Sequence, residues 1–334
     1  MRLIVLGVLA LMLAGCVAPF RPARPAAGGA SVPPPSPSTS PSTSPSTSPS
    51  AGSPYRFTAG YVRPGNRDLG PAAALMSGRN LVQEWAAAAN AGFAPPVDVP
   101  IVAKQCDMVN AFYDPEERSL TMCYEMAAYL GKLFAQPEKG EEPPPAEEVD
   151  ERVVGALNGI FFHELGHGLI DLYDLPTTGK EEDAVDQLSA LVLIGEAEES
   201  KDYTGILATI GAWGRMAESE EGALGKEDYA DEHSLSGQRY YTMMCYLYGS
   251  DHNAFLPLVA EGELPVARAQ RCEQEYAKMA DSWGRLLAPH MRTDPPTPTA
   301  SPTSSTTGPP TGLPTSTPPE DPATVPAPEL TPTS

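Results

Sequence analysis

Residues 161–170 read FFHELGHGLI, a His-Glu-x-x-His motif within a run of apolar residues. On a helix, His163 and His167 lie one turn apart on the same face, so both imidazoles can bind one cation. Glu164 is rotated by about 100° from His163, so its carboxylate can reach a water molecule without occupying a coordination position. The pattern indicates a zinc site for hydrolysis. The alternative is a chance occurrence, in which the ionisable cluster would be buried at a cost with no cation.

A catalytic zinc site normally has three protein ligands and keeps a fourth position for water. Asp171 cannot complete the set, because eight residues of helical rise separate it from His163 by about 12 Å. Residues 179–191, GKEEDAVDQLSAL, follow a turn and predict a second helix that runs back beside the first. We interpret Glu182 as the third ligand. Asp186, four residues later on the same face, would orient a ligating imidazole.

The choice of the third ligand has alternatives. Glu181, Asp183 and Asp186 are the other candidates, because sequence alone does not fix the geometry of the ligands. The helix dipole also favours acidic residues in the first turn of any helix, so the acidic run has a purely structural explanation as well.

Residue patterns predict an α+β fold. Alternating and β-branched residues indicate strands over 55–62 and 97–103 and a hairpin over 109–124. Helical spacing indicates one helix over 71–89 and a long helix over 146–173 that carries the motif. The rest of the chain up to Leu287 is almost wholly helical in pattern. We therefore predict a small mixed sheet with an active-site helix, followed by a mainly helical C-terminal part.

The N-terminus predicts export. Arg2 precedes an apolar run from Leu3 to Leu13 that is too short to span a bilayer, and it ends in small residues before Cys16. This end resembles the lipobox of bacterial lipoproteins. We expect residues 1–15 to be a signal peptide and Cys16 to be lipidated, which anchors the protein on the outer face of the bacterial cell membrane. An ordinary secretory signal with an incidental cysteine is the alternative.

Two segments have compositions that cannot form a core. Residues 16–54 and 293–334 are rich in Pro, Ser and Thr, so we expect a disordered tether and a disordered tail. Residues 55–292 are long enough for one domain with a substantial core. The net charge of −21 and the lack of Lys/Arg clusters argue against a nucleic-acid partner.

Four further cysteines follow Cys16. An even number in an exported chain predicts two disulfides, and closeness in sequence favours Cys106 with Cys123 and Cys245 with Cys272 over the other two pairings. Reduced cysteines in the core are the alternative. A zinc site of four cysteines is disfavoured, because no two are spaced as in a zinc knuckle.

Several stretches resemble a known family. They are HELGHGLIDLYDLP at 163–176, GKEEDAVDQ at 179–187, NAFYDP at 110–115, MCYE at 122–125 and QRY at 238–240. They resemble an uncharacterised bacterial family of metallopeptidases. More broadly, the chain is similar to the gluzincins, in which a Glu on a following helix completes the His pair and an Asp four residues later supports it. The resemblance implies a zincin-like fold, Zn²⁺ and a peptide or protein substrate, although the gap between His167 and Glu182 is shorter than in several gluzincin families.

The resemblance also implies a donor for the oxyanion after the metal-binding elements. His233 is our catalytic candidate, with Arg239 or Tyr240 as substitutes, and a surface His at a helix cap is the alternative for His233. His252 and His290 are expected on the surface.

The predicted function is zinc-dependent peptide hydrolysis by a metal-activated water, with Glu164 as general base. The edge strand of the sheet would hold an extended peptide by backbone pairing. One alternative is a membrane-anchored zinc-binding lipoprotein with a structural or partner-binding role and no proteolysis. Another is hydrolysis of a non-peptide amide.

Overall fold

The computed structural model describes residues 53–137, 140 and 142–292. The predicted signal peptide, Cys16, almost all of the tether (16–54) and the whole tail (293–334) lie outside these residues. Among the helices described, none is both long enough and apolar enough to traverse a bilayer.

The N-terminal part contains a small mixed sheet. Its strands are β1 (Phe57–Tyr61), β2 (Val99–Lys104), β3 (Ala111–Asp114) and β4 (Ser119–Cys123). They are ordered β1-β2-β4-β3 across the sheet. β2 pairs in parallel with β1 and β4, whereas β3 is antiparallel to β4. β3 is therefore an edge strand, with one side free to meet other groups.

Helices make up most of the remaining fold. They are α1 (Gly70–Gly78), α2 (Leu81–Gly92), α3 (Tyr124–Phe134), α4 (Ala146–Tyr173), α5 (Glu181–Ser200), α6 (Thr204–Glu220), α7 (Lys226–Ala230), α8 (Ser236–Ser250), α9 (Leu256–Ala260) and α10 (Val266–Leu287). The predicted α+β arrangement is confirmed. The prediction of a single helix over 71–89 is wrong. Asn80 has a φ of 53°, in the left-handed region, and this residue separates α1 from α2.

The long helix α4 is the centre of the fold. It runs unbroken for 28 residues and ends at Asp174, which has a φ of 51°. Its motif half is buried, and Phe161 stacks on Trp85 with ring centroids 4.9 Å apart. The indole Nε1 of Trp85 donates to the side-chain oxygen of Asn158 on α4 at 2.8 Å. α5 and α6 pack along the same helix, and β3 also contacts it.

Two disulfides cross-link the domain, with the predicted pairing. Cys106 and Cys123 join the loop after β2 to the end of β4, and Cys245 and Cys272 join α8 to α10. The four cysteines are therefore not reduced, and their sulfurs do not provide thiolate ligands.

The two remaining histidines differ in their surroundings. The His252 side chain is 50% exposed, as expected. His290 is only partly exposed. Its ring stacks on Tyr173 at 4.2 Å, its Nδ1 is buried, and burial lowers its pKa.

Glu196 on α5 is a carboxylate placed in an apolar setting. Its Oε1 is buried and has no hydrogen-bond partner in the described part of the chain, and burial raises its pKa to about 7. The unfolded chain loses this proton near pH 4.5 whereas the folded chain keeps it to about pH 7, so folding stability falls as the pH rises through this window.

We expect Glu196→Gln to raise the melting temperature at pH 8 and to change it little at pH 4, because the amide never has to carry a charge. Thermal unfolding of both proteins across this pH range measures the difference. Glu117→Gln, at an exposed position between β3 and β4, is the control and should keep the pH dependence of the wild type. Parallel wild-type and Glu196→Gln curves would contradict the assignment.

Candidate metal centre

Helices α4 and α5 bring three potential ligands together. Nε2 of His163 lies 3.1 Å from Oε2 of Glu182, and Nε2 of His167 lies 3.3 Å from Oε1 of the same carboxylate. One ligand atom from each of the three residues falls within 4.8 Å of the other two. Of the four acidic candidates at 181–186, the structure places Glu182 in this position.

The close spacing of the two helices depends on Gly166, between the two histidines. A Cβ added at Gly166 would lie 2.8 Å from Cβ and Cγ1 of Val185, which is fully buried on α5. Val185 can approach the backbone of α4 because position 166 has no side chain. The contact sets the distance between the helices and hence the distance of Glu182 from the imidazoles.

The outer nitrogens of both imidazoles meet carboxylates. Nδ1 of His163 lies 2.8 Å from Oδ1 of Asp186, and Nδ1 of His167 lies 2.8 Å from Oε1 of Glu181. A carboxylate only accepts, so each Nδ1 carries a proton, and in the neutral ring the lone pair is on Nε2, which faces Glu182. This is the tautomer in which an imidazole binds a metal through Nε2.

These distances fit a shared cation. Four ligands placed tetrahedrally at 2.0–2.1 Å from an ion lie about 3.3 Å from one another. The Nε2 atoms of His163 and His167 lie 3.1 and 3.3 Å from the carboxylate oxygens of Glu182. Oε2 of Glu182 is buried, yet it has no partner with hydrogen-bond geometry among the described residues. The three side chains therefore converge on a common point rather than pairing with each other, and the donor set suits a divalent cation.

The buried guanidinium of Arg239, on α8, holds Asp186 in place. The guanidinium of Arg239 donates from Nε to Oδ2 of Asp186 at 2.7 Å and from Nη2 to Oδ1 at 2.5 Å. The ring of Trp213 covers the other face of the guanidinium, 3.6 Å from Cζ. The structure thus places Arg239 behind Asp186. The hydroxyl of Tyr240 donates to Glu263 at 3.3 Å, so neither of these substitutes for His233 is positioned as an oxyanion donor.

Glu164 lies beside the cluster but does not join it. Its side chain is buried, and its Oε2 accepts the backbone N–H of Tyr113 on β3 at 3.0 Å. The hydroxyl of Tyr113 donates to Asp171 at 2.8 Å, so both ends of this residue are fixed to α4. Glu164 is therefore held at the free edge of β3, where an extended chain could bind.

His233 is on a loop that folds over the centre. Its Nε2 lies 3.1 Å from Oε2 of Glu182, and its Nδ1 lies 2.9 Å from Oδ1 of Asp231. The Nζ of Lys180 donates to the carbonyl oxygens of Asp231 and His233 at 3.2 and 3.4 Å, which fastens the loop to the start of α5. Asp183 accepts a hydrogen bond from the hydroxyl of Ser234 at 2.6 Å, which holds the same loop against α5.

The charges of the centre are mutually dependent. Burial by itself would lower the pKa of His167, but the carboxylates of Glu182 and Glu181 outweigh it and raise this pKa to about 9. Burial opposes ionisation of Glu182 as well, yet the imidazoles close to its carboxylate hold its pKa far below the usual range. Burial raises the pKa of Glu164 despite the nearby imidazoles. The carboxylate of Glu164 is thus more basic than that of Glu182.

Several contributors escape sequence reasoning. The contact of Glu181 with His167, the support of Glu164 by the backbone of Tyr113, and the anchoring of the His233 loop by Lys180 follow only from tertiary contacts. A signal for Glu181 was present in the acidic run, but its side chain could have faced solvent instead. No residue pattern marks Trp213 as the cover of a buried guanidinium.

Comparison with protein families assigns the chain to one family. A family model described as "putative metallopeptidase" matches residues 61–287, which is most of the part that the structure describes. The chain belongs to this family. No curated protein and no solved structure matches it. The matched region contains both helices of the candidate centre and the His233 loop, and membership implies a metal at a site of this kind.

We expect Gly166→Ala to lower the melting temperature and to weaken binding of a divalent cation by about 10-fold or more. The added methyl group displaces Val185 and carries Glu182 away from the imidazoles, and such overpacking costs about 1–3 kcal/mol. Thermal unfolding and metal titration measure the two effects.

Two variants control for the change. Val185→Ala in the Gly166→Ala protein should restore part of the metal affinity, because it removes Cγ1 from the contact and leaves only Cβ. Gly131→Ala on α3, where an added Cβ meets nothing within 4 Å, should leave metal binding unchanged. Undiminished affinity in Gly166→Ala would show that this contact does not set the helix spacing.

Proposed function

We propose that the protein is a zinc-dependent peptidase of the zincin class, similar to gluzincins. The observation that carries the proposal is the convergence of His163 Nε2, His167 Nε2 and the Glu182 carboxylate, at separations that suit one tetrahedral ion. Two imidazoles and one carboxylate leave a fourth position for water, as in catalytic rather than structural zinc sites. Zinc bound there would acidify that water and polarise a scissile carbonyl.

Glu164 supplies the acid–base chemistry in this proposal. Its buried carboxylate, with a raised pKa, accepts the proton of the attacking water and passes it to the leaving amine. The N–H of Tyr113 keeps one oxygen of Glu164 in place during both transfers. His233, oriented by Asp231, would donate a hydrogen bond to the developing oxyanion.

An open groove next to the centre offers a path for the peptide backbone. It has a volume of about 560 Å³ and is bordered by β3, by the exposed end of α4 and by the His233 loop. Alternate residues of an edge strand direct their backbone groups to its free side, so Ala111 faces the same way as Tyr113. We infer that an extended substrate pairs with β3 at Ala111, which places a peptide bond over the centre.

The place of action is also part of the proposal. Lipidation of Cys16 would hold the domain on the outer face of the cell membrane, with residues 17–54 as a spacer. The two disulfides support export, because such bonds persist in oxidising compartments.

Metal analysis and peptide cleavage by the full chain test the catalytic assignment. We expect Glu164→Gln to keep zinc and to lose activity by on the order of 10²–10⁴-fold, because the amide cannot accept a proton. His163→Ala should lose both zinc and activity. Zinc content is measured by elemental analysis and cleavage by mass spectrometry of a peptide mixture.

Each outcome separates the candidate functions. Bound zinc without cleavage in the wild type would favour the zinc-binding lipoprotein with no proteolysis. Equal activity of Glu164→Gln and wild type would remove Glu164 from the mechanism. His252→Ala, far along the chain at an exposed position, is the matched control for the loss of an imidazole.

His233 allows a separate prediction. It is not one of the three residues whose ligand atoms fall within 4.8 Å of one another, so we expect His233→Ala to retain zinc. Loss of one oxyanion donor should reduce kcat by about 10²–10³-fold with a small change in KM. Steady-state kinetics and metal content are the measurements, and loss of zinc in His233→Ala would instead assign it as a ligand.

A further inference from the structure

A second cavity, more enclosed than the groove, adjoins the candidate centre. Its volume is about 330 Å³, room for on the order of ten water molecules. It lies between α3, α4, α6 and α8. The side chains that define it are large and apolar: Met126, Tyr129, Ile160, Trp213, Met216 and Met243.

The cavity and the groove meet at the centre itself. His163, Glu164 and His233 line both spaces, and Ala111 on the edge strand borders both. A peptide that lies along β3 with a bond over the centre therefore has one neighbouring side chain directed into the cavity. The cavity is a continuation of the proposed substrate site rather than a separate one.

Away from the candidate centre itself, the described residues of the cavity wall offer no unpaired charge to a charged side chain. Arg239 and Asp186 line it, but their charges neutralise each other in a bidentate pair, and Trp213 covers the guanidinium. The hydroxyl of Thr209 donates to the carbonyl oxygen of Gly205 on its own helix at 2.9 Å. A charged side chain would lose its hydration there without compensation, whereas an apolar one gains by leaving water.

The methionines of the wall indicate that the cavity accepts a range of apolar side chains. Met126, Met216 and Met243 come from three different helices. Methionine is unbranched and adapts to irregular shapes, so such a wall accepts several large apolar side chains rather than one. At the rim, Val109 is 52% exposed and extends the apolar surface towards solvent.

We propose that this cavity selects the substrate, and that the enzyme cleaves peptides next to a large apolar residue such as Leu, Met or Phe. This inference rests on the proposed peptidase function. It adds a substrate class to that function and names the residues that determine this class. Met216 on α6 is the residue chosen for the test.

The test uses the zinc-loaded full chain and a mixture of synthetic peptides in which every residue type occurs on both sides of the peptide bonds. Cleavage sites are identified by mass spectrometry. We expect a preference of at least about 10-fold for large apolar over acidic, basic or small residues at one position beside the cleaved bond.

Met216→Glu introduces a negative charge into the cavity. We expect it to lower kcat/KM for the apolar peptides by about 10- to 100-fold and to shift the preference towards Arg and Lys. The control is Leu207→Glu on the same helix, where the side chain is 47% exposed and does not line the cavity. It should leave the preference unchanged. Circular dichroism and the melting temperature verify folding of each variant.

Met216→Ala decides the question if Met216→Glu does not fold. It enlarges the cavity, and the preference should move towards Phe and Trp and away from Leu. Cleavage without an apolar preference, or variants of Met216 that match the control, would overturn the role of the cavity while leaving the peptidase function intact. Absence of any cleavage by the zinc-loaded wild type would overturn both.

Discussion

A single carboxylate shared between two imidazoles of another helix is the constraint on which this structure depends. Glu182 reaches His163 and His167 because α5 lies close to α4, where Val185 packs against Gly166. That distance places the rest of α5 as well, including Asp186 below one imidazole and Glu181 beside the other. The spacing of one helix pair therefore determines both the ligands and the groups that orient them.

The buried charged groups around the two imidazoles are paired one behind another. Each imidazole has a carboxylate behind it, and Asp186 in turn has the guanidinium of Arg239, whose far side is closed by Trp213. Because the imidazoles meet carboxylates and Asp186 meets the guanidinium of Arg239, these groups can exist in an apolar interior at a tolerable cost in desolvation. The same layering pairs Asp186 with Arg239 where both residues border the neighbouring cavity.

Much of the local structure was predictable, and the reason is periodicity. The long helix over 146–173 and the pairing of the four cysteines follow from patterns that span few residues. What could not be predicted involves residues far apart in the chain. The bond of Arg239 to Asp186 joins positions 53 residues apart, and that of Tyr113 to Glu164 joins positions 51 apart. The cavity likewise exists only once several helices have packed together, and the break at Asn80 depends on one residue's tolerance of a left-handed conformation.

The disulfide between Cys245 and Cys272 has a consequence for resistance to proteolysis. It encloses the turns and the short helix between α8 and α10, where Leu256 and Val266 are exposed. If another enzyme cut the backbone within this enclosed stretch, the two fragments would stay covalently joined. Arg239 on α8 would thereby remain tethered to the C-terminal helix. A nicked molecule could keep its working surface, and the damage would become visible only after reduction of the sulfur–sulfur bond.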